Sequence, residues 1–311
     1  MNLAPERVSV IEFIEALSFC PVAGATLTPS TMMKLINHSA IKITRVVSLF
    51  FFICLAFSHA PAQENKEMGQ PPQQQSSASE AKAEQILQRT VEALGGASYT
   101  NIRTVIGRGQ FTPFKDGVSQ LPLTFIDYVV YPDHERTEFR GGGVRNIQTN
   151  TGNTGWIYDG AGRTIKDMTT EQVEDFRFAL RTSVEYLLRG EWRKDKAMLS
   201  YVGRREAGIG RRNETVRLTY PDGMSVEFEF GAKDGLPAKV IYQRKDAEGK
   251  DVQEEDRMAQ YIAVGSINAP FVIDHFRAGV QTSRINYESM EFNAAVADAL
   301  FTRPANAKAV K

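Results

Sequence analysis

Cysteine is nearly missing from this chain, and that scarcity narrows its chemistry more than any motif does. Among 311 residues only Cys20 and Cys54 are cysteines, and both precede Ala62, where the chain reads as cleaved. A mature chain from Gln63 onward would have no disulfide, no thiolate nucleophile and no zinc-type cysteine site. Histidine is almost as rare, and past Ala62 only His134 and His275 remain. Charge of either sign is not in surplus: past Ala62 there are 33 Lys and Arg against 34 Asp and Glu. With no basic excess to neutralise a phosphate backbone, nucleic acid is excluded as a partner. Also lacking is an apolar run of the roughly 20 residues that span a bilayer as a helix. No transmembrane segment is expected in the mature chain.

The longest apolar run, "VVSLFFFICLAF" from Val46 to Phe57, follows Lys34, Lys42 and Arg45 and precedes Ala60-Pro61-Ala62. A basic start, a short apolar middle and a small-x-small exit make a cleavable secretory leader. Residues 1–62 are therefore read as a leader region, with the signal peptide at about 32–62 and translation expected to start at Met32 or Met33. Cys54 is preceded by Phe52-Ile53, which are too bulky for a lipid-attachment signal. Cleavage after Ala62 leaves 249 residues.

Residues 63–79, rich in Gln, Ser and Pro without apolar periodicity, read as a disordered linker. A helix is expected over 80–94, where Ile86, Leu87, Val91 and Leu94 keep helical spacing, Ser79 is a candidate N-cap and Gly95-Gly96 a stop. The period then changes to two. One more helix is expected over 170–189, with Thr169 and Gln172 in capping-box register and an apolar stripe of Val173, Phe176, Leu180, Val184 and Leu187. The rest reads as antiparallel strands, with turns at Lys115-Asp116-Gly117, Asp159 to Gly162 and Pro221-Asp222-Gly223. The expected fold is mainly β (α+β): one domain over 80–304, an antiparallel open half-barrel whose two helices cover its concave face. A short tail, 305–311, follows.

Several stretches together resemble the LolA/LolB-type lipoprotein-sorting and carrier fold, with its RseB-like relatives. They are the helix ending "ALGG", the strand "YPDHERTEF" leading to "GNTGWIYD", the helix after "IKDMTTEQ", then "DGLPAKVIYQ", "YIAVGSINAPFVIDHF" and "YESMEFNAAVADALFTRP". The resemblance spans most of Ala81 to Pro304. It implies a periplasmic, non-enzymatic protein without a cofactor, whose half-barrel takes acyl chains of a lipid or acylated lipoprotein. The alternative it implies is a regulatory or scaffold module that binds another envelope protein, as an RseB-like sensor would.

The residues that invite other chemistry do not support it. Asp133, His134 and Glu135 are consecutive on a strand, so they cannot all point at one metal ion. Gly265-Ser266 sits in a turn and not in a G-x-S-x-G elbow. The glycines of Arg140 to Arg145 have strand character on both sides, whereas a phosphate cradle needs a helix after it. No catalytic or metal-binding residue is assigned. The segment "LPLTFIDYVVY" is apolar on both faces, more than a sheet with one wet face requires. Phe111, Phe125, Tyr128, Trp156 and Tyr158 are therefore candidates for lining a cavity, as well as for ordinary core. Phe176 and Leu180 of the helical stripe and Phe228 and Phe230 of the last well-marked hairpin join them. Near the C-terminus, Ile285 and Tyr287 are out of phase with Met290 and Phe292, and a β-bulge near Glu288-Ser289 would bring all four to one face. Phe301 is then expected to close the open end of the sheet.

Overall fold

The computed structural model describes residues 72–246 and 248–310. The proposed leader and the first part of the linker lie outside them. Among the described residues the strands are β1 (Thr104–Lys115), β2 (Val118–Ser119), β3 (Leu123–Val130), β4 (His134–Gly141), β5 (Val144–Thr151), β6 (Gly155–Asp159) and β7 (Thr164–Asp167). The second half adds β8 (Met198–Glu206), β9 (Arg212–Thr219), β10 (Ser225–Gly231), β11 (Pro237–Lys245), β12 (Asp251–Val264), β13 (Ile267–Arg277) and β14 (Val280–Phe292). They form one antiparallel sheet in the order β7-β6-β5-β4-β3-β1-β14-β13-β12-β11-β10-β9-β8, with β2 paired only to β1. The ends of that order, β7 and β8, do not pair, so the sheet is open. Nearly every neighbour in the sheet is also a neighbour in sequence. The one long-range seam is β1 against β14.

Helix α1 (Pro72–Leu94) begins eight residues before the expected start. Gln, Ser and Ala are adequate helix formers, and proline suits the first helical position. Ser79 is thus inside the helix and not its cap. Its hydroxyl accepts from the backbone N–H of Tyr201 at 2.9 Å and donates to the Tyr201 carbonyl at 3.3 Å, which fastens α1 to β8. Below it, Ala83, Ile86 and Leu87 pack on Val216, Leu218, Val226, Phe228 and Phe230 in the largest core cluster. A short α2 (Ala97–Thr100) follows the Gly95-Gly96 stop.

The expected helix over 170–189 is two helices. Thr169 and Gln172 form the capping box of α3 (Thr170–Thr182), and the chain then turns extended at Ser183 (φ −77°, ψ 148°) before α4 (Val184–Leu188). The Ser183 hydroxyl donates to the Leu180 carbonyl at 2.9 Å and accepts from the N–H of Tyr186 at 3.1 Å, so one side chain ends one helix and caps the next. The break redirects the apolar stripe. Val184 and Leu187 enter the main core, while Phe176 and Leu180 face a different space.

Along β14 the register slips where Arg108 pairs with Ser289 and Gly109 with Tyr287, leaving Glu288 as the extra residue. The bulge lies where the phase change requires it. Tyr287, Met290 and Phe292 all reach the helix-covered face, and Ile285 packs on that face with Phe111 and Phe125.

The opposite face is closed differently. Directly paired residues share a face, so Arg136, Thr149 and Trp156 stand together on the back of β4, β5 and β6. The segment after β14 lies on this patch. Arg136 Nη1 donates to the Leu300 carbonyl at 2.7 Å, Trp156 Nε1 donates to the Phe301 carbonyl at 3.0 Å, and the Phe301 ring meets the His134 ring edge-on at 5.4 Å. Phe301 is buried, but against the face opposite the helices, and so it seals the back of the sheet and not its open end. The expected placement fails because nothing in a local pattern tells which face a returning segment will cover. Phe301→Asp should therefore lower unfolding stability by at least about 3 kcal/mol in urea denaturation, as loss of a buried phenyl ring does.

Candidate functional site

Between the helices and the sheet lies a cavity of ≈ 330 Å³, at the lower end of the roughly 300–1,000 Å³ of small-molecule sites. Its roof is α3 and the start of α4, which contribute Phe176, Leu180, Thr182 and Glu185. Its floor is the seam region of the sheet: Val105 and Gly107 of β1, Asp127 and Val129 of β3, and Met258, Ala269, Ile273, Met290 and Phe292 from β12 to β14. Leu94 and Tyr99 close one side, at the end of α1 and in α2. Most of this wall is apolar.

The roof is tied down from several directions. Arg177 Nε donates to the Gly152 carbonyl in the β5–β6 turn at 3.2 Å. Arg244 of β11 pairs with Asp175. Tyr220, just after β9, donates its hydroxyl to the Arg181 carbonyl at 2.9 Å, with the Arg181 guanidinium 3.9 Å over its ring. At the floor, Asn268 Nδ2 donates to the Ala93 carbonyl at 2.7 Å and joins β13 to the end of α1.

Glycine makes part of the space. Gly107 pairs with Asp127 on one side, and a Cβ added to it would stand 2.6 Å from Cε1 of Tyr287. Any side chain there would displace that ring.

The charged groups in the cavity fall at two places. Asp256 and His275 are directly opposed on β12 and β13, and His275 Nδ1 lies 2.6 Å from Asp256 Oδ1. Burial opposes the charge on His275, but the Asp256 carboxylate more than offsets it and raises the imidazole pKa. The other group is acidic. Asp127 of β3 and Glu135 of β4 are half-buried and share Thr137, whose hydroxyl donates to Asp127 Oδ1 at 2.8 Å and lies 3.4 Å from Glu135 Oε1. Burial, then the neighbouring Glu135, lifts the Asp127 carboxyl well above its usual range, and burial lifts Glu135. Glu185 of α4 is raised by burial as well, against the opposing effects of its backbone hydrogen bond and Arg189. Tyr99, Tyr131, Tyr261 and Tyr287 surround this end, all with hydroxyls made less acidic by burial.

The residues proposed from sequence are scattered over three environments. Phe176 and Leu180 line the cavity. Phe111 and Phe125 share its face but pack with Phe139, Ile285 and Tyr287 in a cluster of their own. Phe228 and Phe230 also share that face, yet they lie with α1 in the main core. Tyr128 pairs with Arg136, and Tyr158 follows Trp156 by two positions, so Tyr128, Trp156 and Tyr158 belong to the back of the sheet. An alternating strand tells which residues share a face but not which face the helices take. The acidic end has no sequence signature, because Asp127 lies in a run that reads as apolar and Glu135 is one of three consecutive residues that cannot all face one ion. Among the described residues no three His, Cys, Asp or Glu side chains are gathered to hold a metal ion.

The raised carboxyls fix a pH dependence. A carboxyl whose pKa is higher folded than unfolded favours the folded state below its unfolded pKa, and that advantage is lost as pH rises through the folded value. Asp127→Asn/Glu135→Gln should match the wild type at pH values below the ordinary carboxylate range. It should become progressively more thermostable than wild type as pH rises through the raised values, with the gap constant above them. A melting-temperature series against pH reads this directly.

No protein-family model matches the chain, and no curated protein matches it in sequence. Solved structures do. A DUF1329 family protein from Desulfovibrio piger aligns at 11% identity over 71% of this chain and 97% of its own, with a TM-score of 0.51. A LolA superfamily protein from Nitrosomonas europaea aligns at 11% identity over 71% and 97%, with a TM-score of 0.49. A putative outer membrane lipoprotein-sorting protein domain from Vibrio parahaemolyticus aligns at 14% identity over 70% and 97%, with a TM-score of 0.48. The open antiparallel sheet with its helical cover is thus a fold this chain shares with the DUF1329 family protein of Desulfovibrio piger.

Proposed function

We propose that this chain is a non-catalytic, periplasmic binding protein that takes up the acyl part of a lipid or acylated lipoprotein in the cavity beneath α3. The observation that carries the reading is a largely apolar cavity, kept open under a helix tied down from several directions. Apolar burial drives such uptake, at about 0.8 kcal/mol for each methylene removed from water. Eight methylenes would then supply roughly 6 kcal/mol before ordering costs. The resemblance to lipoprotein-sorting proteins read from the sequence favours the same ligand class. The leader at 32–62 supplies the export step. No helix among the described residues is long and apolar enough to cross a membrane.

Native mass spectrometry of protein recovered from its own envelope compartment should show a bound lipid. Ala269 is buried in the cavity floor, and Ala269→Phe should fill part of the space at a stability cost of about 1–3 kcal/mol while abolishing lipid retention. A folded Ala269→Phe variant that retains lipid as well as wild type would place binding elsewhere. Recovery of a stoichiometric protein partner by lipid-free wild type would favour the regulatory alternative.

A further inference from the structure

The acidic end of the cavity has no role in holding an acyl chain, and its composition points to a second specificity. Three carboxyls arrive there from separate elements: Asp127 from β3, Glu135 from β4 and Glu185 from α4. Tyr287 lies within electrostatic reach of all three and of Tyr131. The groups acting on Asp127 and Glu135 are each other, the Thr137 hydroxyl and a backbone N–H, and none is basic. Glu185 is answered by Arg189, whose guanidinium is stacked 3.7 Å over the Tyr131 ring. The remaining charged pair in the cavity, His275 with Asp256, is internally matched.

A second observation is independent of charge. Tyr99 is more than nine-tenths buried and lines the cavity, and its hydroxyl has no hydrogen-bond partner. Buried hydroxyls are ordinarily partnered, and this one sits among Glu185, Tyr131, Arg189 and Tyr261. Carboxylates set among aromatic ring faces are the environment that stabilises an organic ammonium, through charge pairing and cation–π attraction together.

We infer that the cavity selects amphiphiles whose polar end is an organic cation, an amine or quaternary ammonium, seated beside Asp127, Glu135 and the tyrosine rings, with the apolar tail beneath α3. This rests on the reading of the cavity as an acyl-chain site and adds the charge of the ligand's head. The two can fail separately.

The test uses the mature chain and three probes of equal chain length, each below its micelle concentration: dodecyltrimethylammonium, 1-dodecanol and dodecanoate. Affinities come from calorimetry or displacement of a fluorescent apolar dye. The wild type should bind the cationic probe at least about tenfold more tightly than the alcohol, and dodecanoate more weakly than either. Asp127→Asn/Glu135→Gln should lose that preference, and its cooperative melting transition shows that it is folded. If the alcohol or dodecanoate binds as tightly as the cation, or the preference survives in the variant, the cation-selective end is overturned and the apolar cavity stands. If none of the three probes binds, the acyl-chain reading and this inference both fall.

Discussion

The roof of the cavity depends on the helix break at Ser183. A continuous amphipathic helix from Thr170 to Leu188 would lay one straight apolar stripe along the sheet and fill whatever it crossed. Ser183 prevents that by capping both ways, donating to Leu180 and accepting from Tyr186. Its extended backbone turns α4 into the main core, where Val184 and Leu187 are buried. Trp192 of the following turn joins them and donates its indole N–H to the Leu187 carbonyl. Helix α3 is left as a strap, anchored at β11 through Asp175, at the β5–β6 turn through Arg177 and beyond β9 through Arg181. A strap held at its ends does not have to collapse onto what lies beneath it.

Strand alternation gives the carboxylates of β4 two opposite fates. Glu138 points to the back of the sheet, where burial alone would raise its pKa, but Arg136 at 2.7 Å and Arg145 at 2.7 Å hold it below the usual range. Glu135, three positions earlier, points to the cavity, where its neighbours are Asp127 and Thr137 and nothing positive compensates. The first arrangement is structural: its charges are mutually matched, and Arg136 also holds the terminal segment through Leu300. The second leaves charge unmatched inside the protein, a costly arrangement unless a proton or a ligand neutralises it. The same sheet thus separates the groups that hold it together from the groups free to recognise something.

Much of this was legible in the residues. Period-two alternation located the strands, the Thr169–Gln172 spacing located the start of α3, and the phase slip around Glu288 located the bulge that turns Met290 and Phe292 inward. These are local signals, and local chemistry decides them. Sidedness was not legible. Trp156 and Phe301 meet through a hydrogen bond across 145 residues, and no periodicity specifies that a terminal segment will return to the back of β6. The break at Ser183 was also hidden, since the stripe of Val173, Phe176, Leu180, Val184 and Leu187 keeps helical spacing straight through it. Serine is tolerated inside helices as well as at their caps, so its identity alone does not announce a boundary.

Absent side chains shape the cavity as much as those that line it. Gly107 and Gly109 alternate onto the helix-covered face of β1, opposite Asp127 and Phe125 of β3. With any larger residue at 107, the Tyr287 ring would be driven from its place. Tyr287 in turn packs edge-on against Phe125 at 5.4 Å, so its position is set by a rigid aromatic neighbour and not by the cavity. The bulge at Glu288 puts Tyr287 and Met290 on the same face, and the glycine leaves the depth that lets the ring lie beside Asp127. Two backbone irregularities on adjacent strands therefore place an aromatic ring next to a carboxyl at the bottom of an otherwise apolar space. A cavity formed only by loose packing would need neither of them.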